Sequence, residues 1–445
     1  MNPPRPGCGP AHPDWPHRLL DVAGLRAEGW RPTPFREFVL KVHQRCNLAC
    51  DYCYVYTHAD QSWRDRATVM PSHVLEAAAR RIGEHATAHG LERAHLVLHG
   101  GEPLLAGPSR LRSAVRTLRA ALPAGCAATV TIQTNGTLLD EAVLDDLREQ
   151  GVSVGVSLDG PPSANDRHRR HADGRGSSGE VHRALKLLAE PARRDAYAGL
   201  LCTIDPATDP VDCYETLLSY DPPAVDFHFP HANWDNPPEN QKPCITPYAQ
   251  WLIPVFDRWY DAPRPPTRIR LFESLISLAA GGRSRSEQVG LSPVALVVIE
   301  TDGAIEQVDS LKSAYEGACE TGLNVLSDPL DAALDHPGIA ARQIGTRALA
   351  AECLACPVHR SCGGGHYAHR YRRANGFLNR SVYCADLIRL IRHVDGRVGK
   401  DLARLASAAV ARRREGDDHG DARVAVLGGG SAAVGLGQLP DDPQA

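Results

Sequence analysis

The strongest constraint on how this chain can fold is a run of apolar strands and amphipathic helices that alternate between residues 37 and 229. EFVLKVH (37–43), AHLVLHGG (94–101), ATVTIQTNG (128–136) and VSVGVSLDG (152–160) read as buried strands. Between them SHVLEAAARRIGEHATAHG (72–90), SRLRSAVRTLRAAL (109–122) and DEAVLDDLREQG (140–151) read as helices. The first has Ser72 as N-cap and Gly90 at its end, and the third has an acidic start. Helix 179–190, strand 198–204, helix 209–219 and strand 224–229 continue the series. Strands separated by whole helices pair in parallel, with the helices outside. The expected fold is α/β: a partial (β/α)6 TIM-like barrel over residues 35–240, with its chemistry at the C-terminal ends of the strands.

The pattern changes beyond residue 240. Two helical stretches (247–260 and 269–280) make residues 241–290 a helical linker, and 295–311 reads as a hairpin around Thr301, Asp302 and Gly303. A cysteine-rich stretch, 353–384, leads into a helix from about 385 to 412. Residues 1–34, rich in Pro, Gly and Arg, read as an extended arm, and the Gly- and Asp-rich residues 413–445 as a disordered tail. A net charge of −4 gives no reason to expect nucleic acid or an anionic membrane as partner. There is no 18-residue apolar run and no secretory signal, so the expected location is cytoplasmic. Thirteen cysteines in a reducing compartment point to metal binding or redox work rather than disulfides.

Cys46, Cys50 and Cys53 stand just past the first strand in the spacing C-x3-C-x2-C. Three thiolates can hold three irons of a [4Fe–4S] cube and leave the fourth iron open to a small molecule. A zinc site completed by His43 or His58, or three unrelated cysteines, are the other readings of the spacing. His99-Gly100-Gly101-Glu102, Asn135 and Ser157-Leu158-Asp159 also lie at strand ends. Singly, a Gly-Gly pair is a turn, a strand-end Asn or Asp is a cap, and Arg169 belongs to the basic run RHRRH; their placement after consecutive strands is what carries weight.

With an aromatic residue, Tyr52, before the last cysteine, the loop resembles the signature of radical S-adenosylmethionine (radical SAM) enzymes. HGGEP (99–103) looks like the GGEP stretch of that family, and TNG (134–136) and SLDG (157–160) match later strand-end segments. The resemblance implies a cube with an open site that chelates SAM and, given one electron from an external low-potential donor, cleaves it to a hydrogen-abstracting 5′-deoxyadenosyl radical. It further implies that Tyr52, Gly100, Gly101, Glu102, Asn135, Ser157 and Asp159 surround SAM, with Glu102 accepting from its amino group and Arg169 pairing with its carboxylate.

Cys353, Cys356, Cys362 and Cys384 form a second group, C-x2-C-x5-C-x21-C, which by spacing is a four-thiolate zinc site or a closed cube. The segment is similar to the SPASM extension of radical SAM enzymes that modify ribosomal peptides, which carries two auxiliary cubes. Val308 and His366 stand where that pattern has cysteines, and 287–293 has none. The resemblance therefore implies one auxiliary [4Fe–4S] cluster, in a SPASM-like domain over 291–400. His366 is a possible replacement ligand, and Cys319 is a remnant ligand or a small buried residue. Cys8, Cys126, Cys202, Cys213 and Cys244 lack metal spacing.

PFREFVLKVHQRCNLACDYCYVYTHADQSW, DGAIEQVDSLKSAYEGACETGLNV and YAHRYRRANGFLNRSVYCADL resemble the FxsB-type maturases, over roughly residues 34–400. This implies an enzyme that joins an aromatic ring carbon of a ribosomal precursor peptide to the Cβ of a residue two positions on, making a cyclophane. Asp309 and Glu306 are candidate acceptors for the ring proton. Thioether or formylglycine formation, and a non-enzymatic metal-bearing peptide scaffold, are the alternatives.

Overall fold

The computed structural model describes residues 13–238 and 245–417. Cys8, Cys244 and the tail from 418 lie outside the described residues. Six parallel strands follow one another in order: β1 (Glu37–His43), β2 (Arg93–Gly100), β3 (Ala127–Thr134), β4 (Val152–Ser157), β5 (Tyr197–Thr203) and β6 (Ala224–His228). Four more strands complete the sheet: β7 (Arg268–Ile269), β8 (Leu296–Ile299), β9 (Ala304–Glu306) and β10 (Glu320–Asn324). β7 pairs parallel with β6, and β8 parallel with β1. The expected hairpin is β8–β9, and β10 extends it antiparallel. The sheet does not close, because the free edge of β1 is taken by β8 rather than by β6.

All seven residues of β1 are buried, as a central strand covered on both faces must be. Phe38, Leu40 and Val42 point into the main apolar core, with Val74, Ala78 and Ile82 of the helix Ser72–Ala88. Val39 meets Val97 and Val298 on the opposite face. Lys41 shares that inner face and is also buried, so the lumen carries charge where the outer face is apolar. Observed elements agree with the strand and helix pattern to within a few residues. Ser72 is an exception in detail: it is the first helical residue, and Pro71, with extended backbone, holds the cap position.

Two expectations are corrected. The segment expected to be an extended arm carries the short helices Asp14–His17 and Val22–Ala27. Trp15 and Leu25 are buried there with Leu311, Tyr367 and Phe377 in a second apolar cluster. The helices of 241–290 are not a linker. Trp251, Leu252, Phe256, Leu271 and Phe272 sit in the main core, where each large side chain contributes about 2 kcal/mol by leaving water. The long helix Cys384–Asp417 packs Leu390, Ile391 and Val394 into the same core, alongside the helices Pro247–Tyr260 and Arg270–Ala279. No helix among the described residues is long and apolar enough to cross a membrane.

Candidate active site

The three-cysteine loop leaves β1 and is pinned from two sides. Ala49 N–H donates to the Arg170 carbonyl at 2.7 Å, and Leu48 bridges to His171. Gly101 N–H donates to the His43 carbonyl at 2.9 Å, and Glu102 N–H to the Arg45 carbonyl at 3.0 Å. This close approach is why two glycines follow β2. A Cβ on Gly100 would lie 2.1 Å from the His43 carbonyl oxygen, and one on Gly101 would lie 1.9 Å from the Tyr56 hydroxyl. The space that a side chain would occupy is filled by the chain itself.

Cys46, Cys50 and Cys53 are half-buried and free. Burial pushes the Cys46 thiol up to about 12 and the Cys50 thiol to about 11, and raises Cys53 as well. A bound cation is what would make them thiolates. Cys46 Sγ already accepts from Leu48 N–H at 3.4 Å and from the Asn135 amide at 3.6 Å. Asn135 also donates to Asn47 at 2.9 Å, which fixes its amide beside the sulfur.

Arg169, Tyr52 and Asp159 form a chain against this loop. Arg169 Nη1 donates to the Tyr52 hydroxyl at 2.9 Å, and that hydroxyl donates to Asp159. The second Asp159 oxygen accepts from Thr203 N–H at 2.9 Å. Burial works against the Arg169 charge, but Tyr52, Cys50 and Asp159 outweigh it and hold the guanidinium firmly protonated. Its Nε is buried and has no partner among the described residues. Ser157 accepts from Gln133 at 3.1 Å and is half-buried.

Glu102 is wholly buried and occupied within the protein. It accepts from Leu104 N–H at 2.9 Å, Thr134 Oγ1 at 2.7 Å and Asn135 N–H at 2.8 Å. These three donors account for its burial without any ligand. It clamps the loops after β2 and β3 together, and Oε2, with a single donor, keeps an acceptor position for a further partner.

Glu306, the last residue of β9, and Asp309, in the turn after it, lie inside a buried network. Lys41 is ion-paired with Asp309 and lies 3.2 Å from His99 Nδ1. Lys312 bonds Glu300 at 2.9 Å and Glu306 at 3.1 Å, and Arg66 pairs with Glu306. Three carboxylates thus meet three cations. Burial pushes Asp309 up, but Lys41 and Lys312 more than offset this and hold it below the usual carboxylate range. Burial raises Glu306 to about 8, with Glu300 adding to the rise and Lys312 and Arg66 opposing it. Burial and Lys41 lower His99 to about 4, so the ring is neutral. A lysine within the apolar strand EFVLKVH was the one sequence signal for this network.

In the second cysteine group burial raises the Cys353, Cys362 and Cys384 thiols, with Cys384 and Cys353 adding to the rise at Cys362, and Cys353 and Cys356 adding to it at Cys384. Gly363, Gly364 and Gly365 all take left-handed φ values (61°, 81° and 71°) and wrap the Arg370 guanidinium, which donates to the Gly365 carbonyl at 2.7 Å. His366 packs with His231 and His369 (ring centroids 5.5 and 4.9 Å), and Cys319 is a buried thiol against the Val308 carbonyl at 3.3 Å. Cys202 and Cys213 are buried 3.9 Å apart, and Cys126 is half-buried.

Sulfurs around a single zinc ion, each about 2.3 Å from it, can be at most about 4.6 Å apart. Among the described residues, the groups of three His, Cys, Asp or Glu ligand atoms that lie within 4.8 Å of one another contain no cysteine. Neither cysteine set therefore gathers three of its sulfurs within the span of a single ion.

Residues 40–199 match the radical SAM superfamily. The chain is similar to the serine-type anaerobic sulfatase-maturating enzyme of Klebsiella aerogenes, 27% identical over 385 residues, 82% of this chain and 89% of that enzyme. It is also similar to the cysteine-type anaerobic sulfatase-maturating enzyme of Clostridium perfringens, 25% identical over 349 residues, 76% of this chain and 90% of that enzyme. Among solved structures, native anSMEcpe with bound AdoMet and Cp18Cys peptide has a TM-score of 0.69 at 22% identity, covering 83% of this chain and 99% of that one. Streptococcus suis SuiB bound to the precursor peptide SuiA has a TM-score of 0.54 at 14% identity, covering 82% and 78%. At such identities these two are likenesses of fold. The loop of Cys46, Cys50 and Cys53 lies inside the stretch, residues 40–199, that matches the radical SAM superfamily.

Proposed function

We propose that this chain is a radical SAM enzyme that modifies a ribosomal peptide, starting by removal of a hydrogen atom from a side-chain Cβ. The observation that carries the reading is the loop of Cys46, Cys50 and Cys53, three free thiols beside a buried arginine whose Nε has no partner among the described residues. When bound, a [4Fe–4S] cluster on these thiols with SAM supplies a 5′-deoxyadenosyl radical, and a second cube on Cys353, Cys356, Cys362 and Cys384 supplies an electron acceptor. Sulfur donors and a cationic carboxylate partner fit those groups. Arg169 holds the SAM carboxylate, oriented by Tyr52 and Asp159. Asn135 donates to the Cys46 sulfur. Gly100, Gly101 and Glu102 keep the loop at its place above the strands, and Ser157 lines the same strand-end rim. Asp309, ionised beside Lys41, is the acid available to take up a proton, whereas Glu306, raised to about 8, would first have to give up its own. An external low-potential donor supplies the electron.

The finer reading is cyclophane formation. The Cβ radical adds to an aromatic ring, and the ring regains aromaticity by losing one electron and one proton. It is supported by the FxsB-like stretches around Cys46, Asp309 and Cys384, and by Val308 and His366 at positions where SPASM sequences have cysteines. Formylglycine formation is the second reading, favoured by the sulfatase-maturating relatives at 25–27% identity. Incubation of the reduced, anaerobic enzyme with SAM and its precursor peptide tests both. Deoxyadenosine and a product lighter by two hydrogens, inert to a hydrazide probe and crosslinked on fragmentation, support the cyclophane. A hydrazide-reactive aldehyde overturns it in favour of formylglycine. Intact SAM overturns the radical reading altogether.

A further inference from the structure

Three histidines from distant parts of the sequence meet in the structure. His231 lies three residues past β6, and His366 and His369 follow the glycine-rich turn after Cys362. The ring centroids lie 5.5 Å apart for His231 and His366, 5.8 Å for His231 and His369, and 4.9 Å for His366 and His369. One ligand nitrogen from each ring lies within 4.8 Å of the others.

Hydrogen bonding makes this grouping unusual. His231 Nδ1, His366 Nδ1 and His369 Nε2 are all shielded from solvent, and none has a hydrogen-bond partner among the described residues. Unsatisfied buried polar atoms cost about 1–3 kcal/mol each, and here three neighbouring rings carry one each. Burial keeps the rings neutral, with His366 lowered to about 3 and the other two well below the usual imidazole range. A neutral imidazole has one lone pair to give, and imidazole suits borderline first-row cations. Glu287, held by Arg342 at 2.7 Å, lies 3.9 Å from His366 Nε2, near that nitrogen but beyond direct hydrogen-bond reach.

We propose that His231, His366 and His369 form a three-imidazole site for a borderline divalent cation of the zinc or ferrous class, separate from both cysteine groups. Tyr54, next to Cys53, stands edge-to-face on His231 at 4.7 Å, which puts the site beside the three-cysteine loop at the barrel mouth. Three protein nitrogens leave a further coordination position open.

Zinc is the probe, because its absorption edge is distinct from that of iron. Untagged holoprotein is equilibrated anaerobically with a slight molar excess of zinc, freed of unbound metal by gel filtration, and examined by metal analysis and zinc-edge X-ray absorption. The expected result is one zinc per chain with nitrogen or oxygen neighbours at about 2.0–2.1 Å and no sulfur shell at about 2.3 Å. The His366→Gln/His369→Gln variant should lose that zinc while retaining its iron. A sulfur shell, zinc retained by the variant, or no bound zinc in the wild-type holoprotein would each overturn the proposal. The wild-type spectrum decides even where the variant does not fold.

Discussion

Lys41 of β1 and Asp309 of the turn after β9 form a buried ion pair, which ties the inner face of the barrel to the C-terminal half of the chain. Breaking one partner leaves a desolvated charge, which costs about 3–5 kcal/mol. Asp309→Asn is therefore expected to be strongly destabilised in urea titrations. Lys41→Met/Asp309→Asn should recover most of that loss. If Asp309 takes up the proton, the double variant stays inactive although it is folded, and the rate of peptide product formation is the measurement.

Arg169 carries the proposed contact to SAM. Arg169→Lys keeps the charge and loses the planar fork. SAM affinity is expected to fall about tenfold or more, an effect of about 1.4 kcal/mol, with iron content unchanged. Tyr52→Phe frees the guanidinium from one partner and should weaken SAM binding less. Equilibrium titration with SAM checks both.

Iron content separates the two cysteine groups. Two cubes give about eight irons per chain, and Cys46→Ala/Cys50→Ala/Cys53→Ala should retain about half. A wild-type count near twelve would contradict a single auxiliary cube.

Gly101→Ala would place a methyl group 1.9 Å from the Tyr56 hydroxyl and 2.6 Å from the Arg45 backbone. Something in the cysteine loop must shift. Loss of cluster, seen as reduced iron per chain in a protein with a native-like circular dichroism spectrum, is the expected outcome.

Asp226 gives a pH test. Burial alone would raise its carboxyl, but Arg270 and His228 outweigh that and hold it at about 2. A folded value below the unfolded one means stability that is present above about pH 4 and lost as pH falls through about 2. Asp226→Asn should flatten acid denaturation in that window, by an amount on the order of 2 kcal/mol.

The sequence made the barrel legible because each strand and helix announces itself locally, by apolar runs of the right length and by caps such as Asp140, which accepts from Val143 N–H. The cysteines were legible because close spacing survives folding. What was not legible depends on contacts between remote segments. Glu102 looks like a free acid until Thr134 and Asn135 are brought to it. His231 is one histidine in a loop until His366 and His369 arrive, although the spacing of those two offered a hint. Trp15 and Leu25 sit in a proline-rich stretch whose helices are too short to show periodicity; only the cluster around Leu311 and Phe377 explains them.

The pairing of β8 with β1 has a practical corollary. The C-terminal half cannot be cut away as an accessory module. A chain ending before Leu296 would bare the backbone of the most deeply enclosed strand, an adhesive border prone to aggregation. Chimeras that exchange this half among relatives must carry a strand to cover that border.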